Sequence, residues 1–226
     1  MIPWERLPEN MRTEAVRPYY DALQRKRGFL LCKRCFDVIV SLLLLVLLSP
    51  VLAVLAVWIK CDSKGPVFYR QERVTKYGRS FRIFKFRTMV VNADQIGTLV
   101  TTQGDSRITR VGRKIRKARL DELPQLLNIF TGDMSFVGTR PEVRKYVDAY
   151  TDEMWATLLL PAGVTSAASI CYKDEDEKIA ELTSKGQSVD QAYVEHILPE
   201  KMAYNLRYLL ECSILQDLKL CVKTVL

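Results

Sequence analysis

An uncharged run of 22 residues, Val38–Ile59 (VIVSLLLLVLLSPVLAVLAVWI), constrains this chain more than any other feature, because Ser49-Pro50 breaks it in the middle. At a rise of 1.5 Å per residue, a straight helix of this length measures about 33 Å, enough to cross a bilayer once. A proline in a helix interior removes one hydrogen bond and collides with the preceding turn. A kink is therefore expected at Ser49-Pro50, leaving two arms that each reach roughly half a bilayer deep. Flanking charge separates the two geometries. Arg25, Lys26, Arg27, Lys33 and Arg34 precede the run, and Lys60, Lys64, Arg70, Arg73 and Lys76 open a basic stretch after it. Basic flanks prefer the cytoplasmic side. A straight span must export one cluster, whereas a helix that enters, bends and returns keeps both inside. The favoured reading is a re-entrant helix-break-helix; a straight signal anchor with a tolerated proline is the alternative. A cleaved secretory signal fits poorly, since its apolar region runs about 7–15 residues and a 37-residue leader stands before this run.

The 226 residues then divide into a basic arm (1–35) expected on the membrane surface, the re-entrant segment (36–60) and a single cytosolic domain (61–226). A net charge of +8 calls for an anionic partner: lipid headgroups, nucleotide phosphates or nucleic acid. The six cysteines show no disulfide-framework spacing, and Cys32-Lys33-Arg34-Cys35 is a lone CxxC without the second pair or histidines that zinc requires. They read as reduced thiols. His196, the single histidine, sits beside no nucleophile motif and reads as a surface residue on a helix.

Ser80–Val90 (SFRIFKFRTMV) alternates at period two and predicts a strand, with Arg82, Phe84 and Phe86 on one face and Lys85 and Arg87 on the other. Asn92–Asp105 reads as a mobile loop. Arg107–Arg119 (RITRVGRKIRKAR) spaces Ile108, Val111 and Ile115 as a basic amphipathic helix suited to anionic lipid or nucleic acid. Leu123, Leu126, Leu127 and Phe130 mark a further amphipathic helix, with Pro124 in its first turn and Gly132 as its stop. Asp121-Glu122 then falls at that helix's N-terminus, where taken alone it is a capping pair. The segment 174–177 (DEDE) reads as a solvated helix face, and amphipathic helices are expected near 200–211 and 214–225.

In chain order these become a set: the Ser-Pro-broken helix, PVFYRQERVTKYGRSFRIFKFRTM, DSRITRVGRKIRKARLDELPQLLNIFTGDMSFVGTRPE and LPAGVTSAASICYKDEDE. Over roughly residues 30–226 the chain resembles the bacterial sugar transferase family, the small monotopic polyprenyl-phosphate phosphoglycosyl transferases. The resemblance implies a mainly helical α+β protein: a re-entrant membrane helix, then a small α/β catalytic domain with membrane-surface amphipathic helices, on the cytoplasmic face of the bacterial inner membrane. It implies transfer of a sugar 1-phosphate from a UDP-sugar to polyprenyl (undecaprenyl) phosphate, with release of UMP, as the first step of a lipid-linked glycan. Asp121 matches the family's nucleophile and Glu122 its magnesium-linked neighbour, both facing Mg²⁺. Lys85, Arg87, Arg116, Arg140 and Pro141 match positions associated with phosphate or nucleotide binding, and Ser49 and Pro50 the re-entrant break. Expected partners are the two substrates, anionic membrane lipids and downstream glycosyltransferases, with no nucleic acid.

The chemistry is coherent. A carboxylate must approach a pyrophosphate, so the protein's task is positioning and charge neutralisation. Departures from the commoner family pattern stand at Val74-Thr75, Thr139 and Ser166–Ser169 (SAAS), and none removes a charged candidate. Two other classes compete: a membrane-tethered module binding anionic ligands, which leaves the acidic pair among cations unexplained, and an inactive scaffold, which the intact charged set disfavours.

Overall fold

The computed structural model describes residues 1–93, 105–172 and 175–225. In chain order the elements are α1 (Arg17–Arg25), α2 (Arg27–Leu47), α3 (Ser49–Asp62), β1 (Phe68–Val74), β2 (Ser80–Phe86), α4 (Arg110–Lys117), α5 (Gln125–Thr131), β3 (Met134–Val137), α6 (Arg144–Val147), β4 (Ala162–Thr165), α7 (Ala167–Cys171), α8 (Glu175–Ser184), α9 (Val189–Ala192), α10 (Leu198–Glu211) and α11 (Ile214–Val225). Strands β1 and β2 form an antiparallel hairpin, and β3 pairs with β4 in parallel. The mixed, mainly helical architecture matches the expectation.

The proline does what its chemistry requires. Pro50 sits in the first turn of α3, where its missing N–H costs nothing, and α2 and α3 meet at 62° across Leu48. Ser49 Oγ donates to the Val46 carbonyl (2.8 Å), satisfying one acceptor freed by the break. Among the described residues no single helix is long and apolar enough to cross a membrane; the bent pair reaches that length only together. Leu43, Val46, Leu47, Val54 and Val57 on its outer side are exposed. The inner side of α2 is unexpectedly polar: Lys33, Asp37 and Ser41, spaced i, i+4, i+8, are all buried. Lys33 pairs with Asp217 of α11, and Asp37 accepts from the Phe136 N–H (3.1 Å). Arg34 donates to the Ile129 and Phe130 carbonyls (2.7 and 2.8 Å) at the end of α5, where a cation also meets the helix dipole favourably. At the other end, Asp62 accepts from the Val111 N–H (3.1 Å) in the first turn of α4. Both ends of the bent pair are thus fastened to one globular body.

The expectation of a separate arm over residues 1–35 needs correction. Leu7, Met11, Val16 and Leu23 are buried in the largest core, with Tyr146, Leu159, Ile197 and Met202 among its other members. Fully burying each such side chain contributes about 1.5–3 kcal/mol, so this segment is structural. A second core joins Phe81 and Ile83 of β2 to Leu126 and Ile129 of α5, with Leu44 and Leu48 of α2 against it. A third packs Leu55 and Ile59 of α3 on Phe86 and on Val111 and Ile115 of α4.

The three departures from the family pattern have local roles. Thr75 is fully buried; its Oγ1 donates to the Asp133 carbonyl (2.6 Å) and accepts from the Ala162 N–H (3.1 Å), tying the hairpin to both parallel strands. Thr139 is buried and its carbonyl accepts from the Gly163 N–H (2.8 Å). Ser166 caps α7 by accepting from the Ser169 N–H (2.9 Å).

Candidate active site

Three segments converge on the acidic pair. Strand β2 ends at Phe86, short of the expected Val90, and presents Lys85. The helix expected over 107–119 is confined to α4: Ile108 instead bridges to Met89, and α4 is capped by Thr109, which accepts from the Gly112 N–H (3.0 Å). Its final turn brings Arg116 to the site. Arg119 then adopts a left-handed conformation (φ 53°), a strained state for a side chain with a Cβ, and throws the chain into a 3₁₀ turn, Leu120–Glu122.

That turn decides the fate of the capping reading. Helix α5 starts only at Gln125 after Pro124, and neither Asp121 nor Glu122 supplies its cap. The C-terminal stop at Gly132 (φ 92°) is as expected, whereas Phe130 of the expected apolar stripe is exposed. Freed from capping, the two carboxylates take different environments. Glu122 Oε1 accepts from Lys85 Nζ (3.1 Å) and from Arg140 Nη2. Burial opposes its charge, but Arg140 and Lys85 outweigh burial and hold the carboxyl down at about 2. Asp121 makes no ion pair and no hydrogen bond to another side chain among the described residues; its carboxylate is turned back on its own backbone N–H. Burial pushes its carboxyl above the usual range and Glu122 adds to this, while Lys85 and Arg116 pull the other way. Burial lowers Lys85, and Glu122 counters.

Asp121 lines a cavity of about 550 Å³ together with Lys85, Arg116, Tyr69, Gln71 and Arg73. A pocket of that size, with convergent cations and one carboxylate, can hold a polyanionic small molecule. Of the residues read from the sequence, Asp121, Glu122, Lys85, Arg116 and Arg140 come together. Arg87 lines the same cavity, yet its guanidinium is buried and spent on the carbonyls of Lys64 and Ser63 (2.7 Å to the latter), closing the end of α3. This makes it a clamp, because strand β2 ends one residue before it. Pro141 is buried and offers its carbonyl to Arg73 Nη1 (3.1 Å), behind the cavity wall. Ser49 and Pro50 lie at the exposed bend.

Sequence reading missed Tyr69, Gln71 and Arg73. Alternate residues of β1 are partly shielded, but FYRQERV has no polar–apolar alternation that would have announced which face lines the cavity. It also missed Glu142, whose carboxylate accepts from the Tyr193 hydroxyl (2.6 Å) beside Lys201. Glu175 of the acidic stretch is bonded to Lys201 (3.1 Å) and so is only partly a solvated face; His196 is exposed, as expected. The loop expected over 92–105 lies for the most part outside the described residues. All described cysteines are free.

The profile of the bacterial sugar transferase family matches residues 29–226. A UDP-N-acetylgalactosamine-undecaprenyl-phosphate N-acetylgalactosaminephosphotransferase of Aeromonas hydrophila is 48% identical over 122 residues, covering 54% of this chain and 29% of the relative. A UDP-glucose:undecaprenyl-phosphate glucose-1-phosphate transferase of Caulobacter vibrioides is 36% identical over 196 residues, 85% of this chain and 68% of the relative. Its namesake from Escherichia coli is 32% identical over 221 residues, 96% of this chain and 44% of the relative. The chain thus spans less than half the length of two of these relatives. With the match covering all but the first 28 residues, and the clustered Asp121, Glu122, Lys85 and Arg140 all inside it, the chain belongs to the bacterial sugar transferase family.

Proposed function

We propose that this chain transfers a sugar 1-phosphate from a UDP-sugar to polyprenyl phosphate, with release of UMP, through a covalent phosphosugar on Asp121. One observation carries the reading: of two adjacent carboxylates, Glu122 is neutralised by Lys85 and Arg140, while Asp121 stays unpaired on the cavity wall. An Asp121 oxygen attacks the phosphorus bearing the sugar, the bond from that phosphorus to the bridging oxygen breaks, and UMP leaves with the electron pair. The lipid phosphate then attacks the same phosphorus and breaks the acyl-phosphate bond, which restores the carboxylate. Lys85 and Arg116 offset the repulsion between Asp121 and the incoming pyrophosphate. Arg140, whose guanidinium Glu122 holds firmly charged, offers its remaining donors to non-bridging oxygens.

Mg²⁺ belongs to the same proposal. Among the described residues no group of three or more carboxylates, cysteines or histidines could build an all-protein metal cage. Mg²⁺ commonly uses only one or two carboxylates plus substrate phosphates and water, which the pair Asp121 and Glu122 fits. Bound there, it would neutralise phosphate charge. Incubating membrane-fraction protein with a panel of UDP-sugars, undecaprenyl phosphate and Mg²⁺ is expected to release UMP with at least one donor. EDTA should abolish release and added Mg²⁺ restore it; full activity in chelator would remove the metal from the reading, and no release with any donor would overturn the reaction.

The same reading seats the bent pair α2–α3 in the cytoplasmic leaflet of the bacterial inner membrane. Its support is that Arg34 and Asp62, near the two ends of the pair, fasten to one globular body while the outer side exposes apolar residues. Substrate phosphate and enzyme would then meet at headgroup level. In a background freed of the six native cysteines, single cysteines placed at Asn10 and Glu177 should both resist a periplasmic thiol reagent in intact cells. Labelling of either one would replace the re-entrant geometry by a span.

A further inference from the structure

Strand β1 carries a row of side chains that the reaction above leaves without a task. Tyr69, Gln71 and Arg73 alternate along one face and line the cavity that holds Asp121. Tyr69 lies opposite Lys85 in the hairpin register, and Gln71 follows two residues on, about 7 Å along the strand. The row therefore leads away from the reacting end of the cavity.

Gln71 is held in one orientation. Arg73 Nε and Nη2 both donate to Gln71 Oε1 (3.0 and 2.6 Å), and Arg73 is itself anchored by Nη1 on the Pro141 carbonyl (3.1 Å). A guanidinium carries only donors, so the group facing it must be the amide oxygen, and the usual ambiguity of amide orientation does not arise. The Gln71 Nε2 group, with two N–H donors, has no hydrogen-bond partner among the described residues. A fixed pair of donors on the wall of a cavity built for a polyanion is suited to an acceptor oxygen of the ligand. Three N–H groups of Arg73 are engaged by Gln71 and Pro141, which fixes the guanidinium beside the amide.

We propose that Gln71, locked by Arg73, donates a hydrogen bond to an oxygen of the bound UDP-sugar and is a specificity-determining residue of the donor site. The acceptor belongs to the sugar or to the uridine. This rests on the donor being a UDP-sugar, as argued above, and adds a residue and a contact to it.

Two substitutions separate recognition from mere support of Arg73. Gln71→Glu keeps an acceptor for Arg73 and removes the N–H donors; Gln71→Met keeps the volume and removes both functions. Each is made in the full chain carrying Asp121→Asn, which prevents turnover, and binding of UMP, UDP-glucose and UDP-N-acetylgalactosamine is measured by calorimetry in lipid nanodiscs. The expectation is that both variants weaken a bound UDP-sugar at least tenfold (about 1.4 kcal/mol). Equal weakening of UMP assigns the acceptor to the uridine, and unchanged UMP binding assigns it to the sugar. Weakening by Met with full retention by Glu would reduce Gln71 to a support for Arg73 and overturn the proposal. So would weakening by Glu alone, which is a charge effect, or no change in either. A parent protein that binds none of the three probes overturns the reaction reading, and this inference with it; a parent that binds while the variants match it overturns this inference alone.

Discussion

Asp121→Asn is expected to abolish UMP release, lowering turnover by roughly 10⁴–10⁶-fold, the scale seen when a nucleophile is removed. An amide cannot form the acyl phosphate, so intact-protein mass spectrometry after incubation with UDP-sugar alone should show the phosphosugar adduct on wild type and none on the variant. The fold should not suffer. Burial raises the Asp121 carboxyl above its ordinary value, so between that value and the raised one the native state binds more protons than the unfolded chain. Stability then falls as pH rises through that window, and at neutral pH the charged carboxylate is a net burden on the native state. Asn lifts it, so the melting temperature should hold or rise. A wild-type protein that turns over yet never carries the adduct, with intersecting initial-rate plots, would replace the covalent route by direct attack of the lipid phosphate.

Glu122→Gln should behave in the opposite way on stability while also losing most activity. Its folded carboxyl lies at about 2, well below the ordinary glutamate range. The stabilisation is therefore fully present above the unfolded value and is lost as pH falls through the folded one. Removing it takes away the carboxylate bonded to both Lys85 and Arg140 and leaves their charges only the more distant Asp121 and Glu142. Breaking a fully buried pair costs about 3–5 kcal/mol. Arg140 is 36% exposed and Glu122 14%, so solvent screening reduces this. We expect roughly 2–3 kcal/mol, a fall in melting temperature of about 5–10 °C at neutral pH. The residual activity carries a second signature: without the neighbouring negative charge, Asp121 ionises more readily, so the acid limb of the rate profile moves to lower pH. Unchanged melting together with an unmoved acid limb would show that the Lys85–Glu122–Arg140 contacts are not formed in solution.

How much of this was legible in the sequence depends on the range of the interaction. The break at Ser49-Pro50, the stop at Gly132 and the amphipathic stretches before and after residue 212 follow from local chemistry, and all appear in the structure. The charged cluster was recoverable only because its motifs stand in a fixed order along the chain. Local rules misplaced Asp121 and Glu122, assigning them to a helix cap, since nothing in the string announces that Arg119 turns left-handed. Arg87 shows the same limit: period two predicted the face it shares with Lys85, but not the bonds of its guanidinium to the Ser63 and Lys64 carbonyls. The arm over residues 1–35 looked polar because its buried residues, Leu7, Met11, Val16 and Leu23, lack a regular period. Only tertiary packing gathers them.

Helix α5 has Arg34 clasping its last carbonyls, and the 3₁₀ turn that holds Asp121 and Glu122 precedes its first residue. It is seven residues long, a strut of about 10 Å. One end bears on the helix proposed to dip into the lipid, and four residues before the other stands Asp121, the proposed nucleophile. With α2–α3 seated in the lipid as proposed, the spacing between that pair and Asp121 is a dimension of the protein, like the gap of a calliper. A thicker or thinner bilayer can tilt or deepen the whole molecule and carry Asp121 with it, but it cannot change that internal spacing.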